Sequence, residues 1–105
     1  MAGRKIRIPL SYKMYRHIKK QSLEQDKFIR DVINPLIENM SLDKIQIPKD
    51  DAWPDSTRNL VTVALTEKAQ ECLLLIQQKY PLSTTRAAYV VVYTHYKDYI
   101  HSSGE

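Results

Sequence analysis

Glycine is almost missing from this chain. Only Gly3 and Gly104 occur, both close to the ends. No internal glycine is available for a loop that cradles phosphate, so nucleotide-binding loops of that kind are excluded. Cysteine is as scarce: Cys72 stands alone, which rules out a disulfide framework within the chain and suits a reducing, cytoplasmic setting. Cys72 lies in an apolar stretch with no activating partner nearby in sequence and reads as a core residue. His17, His95 and His101 fall at no metal-ligand spacing with it. No apolar run approaches the roughly 20 residues that span a bilayer, and no apolar block of signal-peptide type follows the basic N-terminus. Nothing in these patterns points to catalysis, so the expectation is a protein that is not an enzyme and needs no cofactor or metal.

Acidic residues are also missing from the start of the chain. The first is Glu24, so the segment from Arg4 to Lys20 is wholly basic. The net charge of +4 is therefore unevenly distributed. Residues 1–40 carry nine Lys/Arg against four Asp/Glu, residues 41–58 three against four, and residues 59–105 four against four. Such a basic block marks either a polyanion-binding surface or a solvated helix face.

The 105 residues suit one compact domain, and either half alone would be marginal. Ile6, Ile8 and Leu10 alternate with Lys5, Arg7 and Pro9, which predicts a half-buried strand. At Ser11, a candidate N-cap, the period changes. Met14 and Ile18, then Phe28, Ile29, Val32, Ile33, Leu36, Ile37 and Met40, recur at helical spacing. The polar stretch from Gln21 to Asp26 reads as the break between two helices. Pro35 sits inside the second and is expected to kink or break it, or to start a new short helix.

Residues 41–58 hold Pro48, Pro54 and a cluster of acids and read as a linker without regular structure, pinned to the core by Ile45, Ile47 and Trp53. The first pattern then returns. Val61, Val63 and Leu65 alternate with Leu60, Thr62 and Ala64, and Thr66 is again a candidate cap. Ala69, Leu73, Leu74 and Ile76 suit a helix that stops near Tyr80-Pro81. Ser83 caps a last helix from Thr84 to about His101, with Ala87, Ala88, Val91, Val92 and Tyr99 among its apolar positions. Tyr89, Tyr93, Tyr96 and Ile100 share one face of that helix and are expected to pack on the linker or a partner.

The two halves superpose at a constant offset of 55 residues without a gap: Ile6 on Val61, Ile8 on Val63, Leu10 on Leu65, Ser11 on Thr66, Ile18 on Leu73. This predicts strand-helix-helix, linker, strand-helix-helix. A lone strand leaves its backbone groups unpaired, whereas two copies satisfy them by pairing antiparallel. The apolar faces would then lie on the helices. Lys5, Arg7 and Pro9 would point outward beside Leu60, Thr62 and Ala64.

The repeated motif, IxIxLSxKMxxxI and then VxVxLTxKAxxxL, resembles the ribbon-helix-helix superfamily, the MetJ/Arc class, and two copies in one chain are similar to the tandem arrangement of TraY-type proteins. The resemblance implies a mostly α fold with a two-stranded antiparallel β-ribbon. It forms a pseudo-twofold single domain over residues 1–105, with repeats at 4–40 and 59–101 around the 41–58 linker. It also implies sequence-specific binding of double-stranded DNA, with the ribbon in the major groove.

On this resemblance Lys5, Arg7 and Thr62 read bases. Phosphates are held by the N-termini of the second helices: Ser83, Thr84 and Thr85 in the second repeat, Phe28 and Ile29 with Lys27 and Arg30 in the first, and Arg4 beside the strand. Phe28 occupies the place where Ser83 would cap, so the first clamp would rest on backbone amides or begin earlier, at Asp26. The expected roles are a transcriptional repressor or an accessory protein of plasmid conjugation. The expected state is a monomer with intramolecular repeat pairing, several copies sitting side by side on DNA. A protein-interaction module such as an antitoxin, and a non-specific nucleic-acid binder acting through the basic N-terminus, are the alternatives. Because Lys5 and Arg7 lie opposite Thr62, the preferred site should be non-palindromic, with its guanines under the first strand.

Overall fold

The computed structural model describes residues 4–49, 53–54 and 57–102. Along the chain run β1 (Lys5–Pro9), α1 (Tyr12–Glu24), α2 (Ile29–Glu38), one 3-10 turn (Leu42–Lys44), β2 (Leu60–Ala64), α3 (Glu67–Lys79) and α4 (Thr84–Ser102). The fold is mostly helical, with one two-stranded antiparallel sheet. Lys5 and Leu60, Tyr12 and Glu67, and Ile29 and Thr84, which open the paired elements, are each 55 positions apart.

The sheet pairs Lys5 with Ala64, Ile6 with Val63, Arg7 with Thr62, Ile8 with Val61 and Pro9 with Leu60. Ile6, Ile8, Val61 and Val63 are buried, as alternation requires when one face is covered. They join Leu10, Met14, Ile18, Ile33, Ile37, Leu65, Leu73, Ile76, Ala87, Ala88, Tyr89, Val91 and Val92 in one cluster drawn from both strands and all four helices. Each fully buried Val, Leu or Ile contributes about 1.5–3 kcal/mol. Neither half has a covered sheet face without the other.

Three of the four helices start where a short hydroxyl side chain caps them. Ser11 accepts from the Met14 amide at 3.2 Å, Thr66 from Ala69 at 3.1 Å and Ser83 from Arg86 at 3.2 Å, each cap stabilising its helix by roughly 1 kcal/mol. The expected break at Gln21–Asp26 comes later, because α1 persists to Glu24. Its end is a Schellman closure: Asp26 N–H donates to the Leu23 carbonyl and Lys27 N–H to the Ser22 carbonyl. Glycine usually takes the left-handed position there. In this glycine-poor chain Asp26 takes it, at φ 52°. The Ser22 hydroxyl donates to the Lys27 carbonyl and tightens the same turn. α3 stops at Tyr80, whose extended backbone is what the following Pro81 favours.

Several sequence expectations need correction. Pro35 does not break α2, which runs through it to Glu38. The single bond it forfeits would have reached the Asp31 carbonyl, and Asp31 and Pro35 both lie on the exposed side. The linker is not wholly irregular, since Leu42–Lys44 forms a 3-10 turn. Ile45 and Trp53 do pack on the core, but Ile47 is exposed. Leu74 is exposed too, because Leu73 and Ile76 already fill the buried stripe and Leu74 is rotated away from it. Phe28 precedes the first turn of α2 in extended conformation and projects outward, 69% exposed. Tyr99 is exposed as well, its ring against His17 at 4.3 Å between centroids. Cys72 is half-buried at the edge of the core, its thiol 3.8 Å from the Glu38 carbonyl.

One buried polar side chain ties the two halves together. Asn34 is 6% exposed. Its amide donates to the Ala64 carbonyl at the end of β2 and to the Arg30 carbonyl, both at 2.9 Å. Its carbonyl oxygen accepts from the Thr66 amide at 3.1 Å. The position 55 residues later holds Tyr89, which is 2% exposed and packs on Trp53 at 5.4 Å and Tyr93 at 6.0 Å between centroids. Of the tyrosine stripe, Tyr89 therefore meets the linker, whereas Tyr96 packs on His17 of α1. Burial, with a smaller contribution from Tyr93, pushes the Tyr89 phenol up to about 12.

Candidate nucleic-acid interface

The outer face of the ribbon is set by backbone bonding. Leu65 N–H donates to the Arg4 carbonyl at 2.8 Å, and Leu10 N–H to the Asn59 carbonyl at 3.3 Å. These mark the hydrogen-bonded pairs, and pairs alternate along an antiparallel ladder. The outward pairs Lys5–Ala64, Arg7–Thr62 and Pro9–Leu60 are therefore the non-hydrogen-bonded ones, with Cα atoms about 4.5 Å apart and side chains close across the strands. Pro9 sits where its missing N–H costs no ladder bond.

Arg7 and Lys5 are exposed and oppose small or short side chains, so nothing across the ribbon shields them. Among the described residues neither is ion-paired with a carboxylate. Five residue pairs make the ribbon about 17 Å long at about 3.4 Å per residue.

The first turns of α2 and α4 flank this ribbon. Ser22, Lys27, Phe28, Ile29 and Arg30 line a hollow of about 350 Å³ whose far wall is Thr62. Beside Pro9 lies a second hollow, of about 220 Å³, walled by Ser83, Thr85 and Arg86 with Trp53, Pro54 and Tyr89. A third, of about 180 Å³, brings Arg4 to Thr84. Lys5, Arg7 and Thr62 thus lie on the ribbon's outer face, Lys27, Phe28, Ile29, Arg30, Ser83 and Thr85 line hollows that a ribbon residue helps to wall, and Arg4 and Thr84 share a hollow with α3.

The two flanks differ. α4 opens with a hydroxyl cap, and its Thr84 and Thr85 amides have no acceptor within the helix. α2 opens with Phe28, which supplies no side-chain cap; the alternative start at Asp26 is not used, since Asp26 belongs to the closing turn of α1. The first turn of α2 also contains Asp31, 4.0 Å from Arg30 and unfavourable to an anion there. The Arg30 guanidinium lies 4.8 Å from the Phe28 ring centroid. On the α4 side the Arg86 guanidinium lies likewise 4.8 Å from the Trp53 ring centroid. The sequence alone does not single out Arg86. Its signal was a cation in the first turn after Ser83, and what adds to it is the linker tryptophan brought alongside.

Among the described residues no group of three or more His, Cys, Asp or Glu side chains is arranged to hold a metal ion, and no helix is long and apolar enough to cross a membrane. Comparison of the chain with protein-family models, with curated proteins and with solved structures finds no match.

Proposed function

We propose that this protein is a tandem ribbon-helix-helix module, a pseudo-twofold single domain, that binds double-stranded DNA sequence-specifically with its β-ribbon in the major groove. The observation that carries the reading is the outer face of the ribbon. Arg7 stands opposite Thr62 and Lys5 opposite Ala64, flanked on both sides by helix first turns. The major groove of B-DNA, about 12 Å wide, admits a two-stranded ribbon. A ribbon of about 17 Å covers roughly five base pairs at about 3.4 Å each.

Arg7 is the residue suited to bidentate bonding with guanine O6 and N7, Lys5 adds a second donor, and Thr62 offers a hydroxyl or a methyl contact. Arg4, Lys27, Arg30 and Arg86, with the free amides of Phe28–Ile29 and Thr84–Thr85, would hold phosphates on either side. The repressor and conjugation-accessory roles both follow from such binding. One chain supplies both strands, so a monomer is the binding unit and its site is asymmetric.

The test is selection from a random duplex pool at about 0.15 M salt, run in parallel with the native chain and Arg7→Ala. The native chain should enrich a non-palindromic motif, and the variant should lose its guanine preference by a factor of about 5–150, the equivalent of about 1–3 kcal/mol. No enrichment, or an identical motif from both proteins, would refute ribbon readout. A strictly palindromic motif would refute the single-chain reading.

A further inference from the structure

A hollow of about 510 Å³ lies between α1 and the C-terminal half of α4. Its rim carries Lys13, Arg16, Lys19 and Lys20, and Tyr96 and Tyr99 from α4 enter it from the other wall. All four cations are exposed. Among the described residues none is ion-paired with a carboxylate. Like charges stacked at three and four residues on one helix destabilise it, so a rim of cations without a carboxylate partner carries a cost that an anionic occupant would remove.

The hollow is also apolar in part. Leu23, at its end, is 75% exposed. From Lys13 to Leu23 the groove follows α1 for about 15 Å. Tyr96 and Tyr99 lie about 18 and 22 Å along α4 from Thr84, its first residue.

We infer that this groove docks an acidic segment of a partner protein, one that sets carboxylates against the Lys13–Lys20 rim and an apolar side chain against Leu23 and Tyr99. Single-stranded nucleic acid also suits cations and rings, but base stacking requires a free ring face. Here Tyr96 and Tyr99 already pack on His17 at 5.5 and 4.3 Å between centroids, and the Lys19 ammonium lies 5.7 Å from the Tyr15 centroid, so each ring has a contact of its own. The aliphatic surface of Leu23, 75% exposed at the end of the groove, accepts a leucine better than a base. The inference is independent of what the ribbon binds.

The test uses the full chain and a fluorescein-labelled synthetic peptide of about 12 residues, about 18 Å long as a helix, with leucines at helical spacing among glutamates. Anisotropy should show saturable binding of one peptide per chain. The glutamine counterpart should bind about tenfold more weakly or worse, and so should the glutamate peptide to the Lys13→Glu, Lys20→Glu double variant. Leu23→Gln, a change at an exposed position, should also weaken binding while leaving the melting temperature unchanged. Absence of saturable binding, equal affinity for the glutamine peptide, or affinity unchanged in both variants would overturn the inference. An oligothymidylate of equal length that displaces the peptide at lower concentration than unlabelled peptide would also overturn it, and assign the groove to single-stranded nucleic acid.

Discussion

Replacing Asn34 by alanine should destabilise this protein more than any surface change, although no apolar core residue is lost. Asn34 makes three hydrogen bonds. The one to the Arg30 carbonyl duplicates an acceptor that α2 already uses for its own backbone, so its loss costs little. The other two join α2 to the end of β2 and to the start of α3. Each is expected to contribute about 1 kcal/mol net, and a partner left buried without a bond costs about 1–3 kcal/mol. Thr66 is exposed and Ala64 half-buried, so water reaches part of the vacated site and the lower end of that range applies. The expected loss is about 2–3 kcal/mol, a large share of the roughly 5–15 kcal/mol that holds a typical domain together. For a chain of this size it lowers the melting temperature by roughly 10 °C. Urea unfolding followed by far-ultraviolet circular dichroism measures it, with an unchanged m-value showing that the unfolded ensemble is not what moved. A loss below about 0.5 kcal/mol, the scale of an ordinary surface substitution, would refute the claim that this side chain ties the halves together.

Two further outcomes follow from local geometry. Asp26→Gly should stabilise the chain by about 0.5–1 kcal/mol, since Asp26 holds the left-handed closing position of α1 that glycine occupies without steric cost; the same urea titration reads it, and a destabilised variant would show that the Asp26 carboxylate supports the turn. His17 and His95 meet at 5.7 Å between centroids, and both titrate below the usual imidazole value of 6.5. For His17 burial is the main cause, followed by His95 and Lys20, against an opposing Glu24; for His95 burial dominates, against Asp98. Protonation is thus easier in the unfolded chain, so their contribution is present above pH 6.5 and is lost as pH falls below that value towards the lowered folded values. The urea midpoint should drop between pH 7.5 and 5, and drop less in His17→Gln; an equal drop in that variant would place the sensitivity elsewhere.

Much of the fold was legible in the order of residues. Period-two alternation at Ile6–Leu10 and Val61–Leu65 marked both strands, and their recurrence 55 residues apart made each the natural partner of the other. Ser11, Thr66 and Ser83 announced helix starts because short hydroxyls cap free amides whatever lies beyond. Interruptions were harder to read. Pro35 looked like a break, yet a proline one turn from a helix end forfeits a single bond, and here the carbonyl it frees lies on the exposed side. Asp26 took the place of glycine at a helix end, a substitution invisible to a search for glycine. The run Leu73–Ile76 contains more apolar residues than one stripe can bury, and only packing decided that Leu74 and Leu75 face out.

The sequence by itself determined which residues share a face, because side-chain direction follows the local period of strand and helix. It therefore settled that Lys5, Arg7 and Thr62 would leave the core together, and that α1 would carry an uninterrupted row of cations. Only the tertiary structure decided what stands beside them. Thr62 and Phe28 line one hollow, Arg86 lies over Trp53, and Tyr99 rests on His17. These are neighbours across 34, 33 and 82 positions of chain respectively. No local period carries such information, because contacts between distant segments are chosen by how the whole set of apolar faces closes on one core.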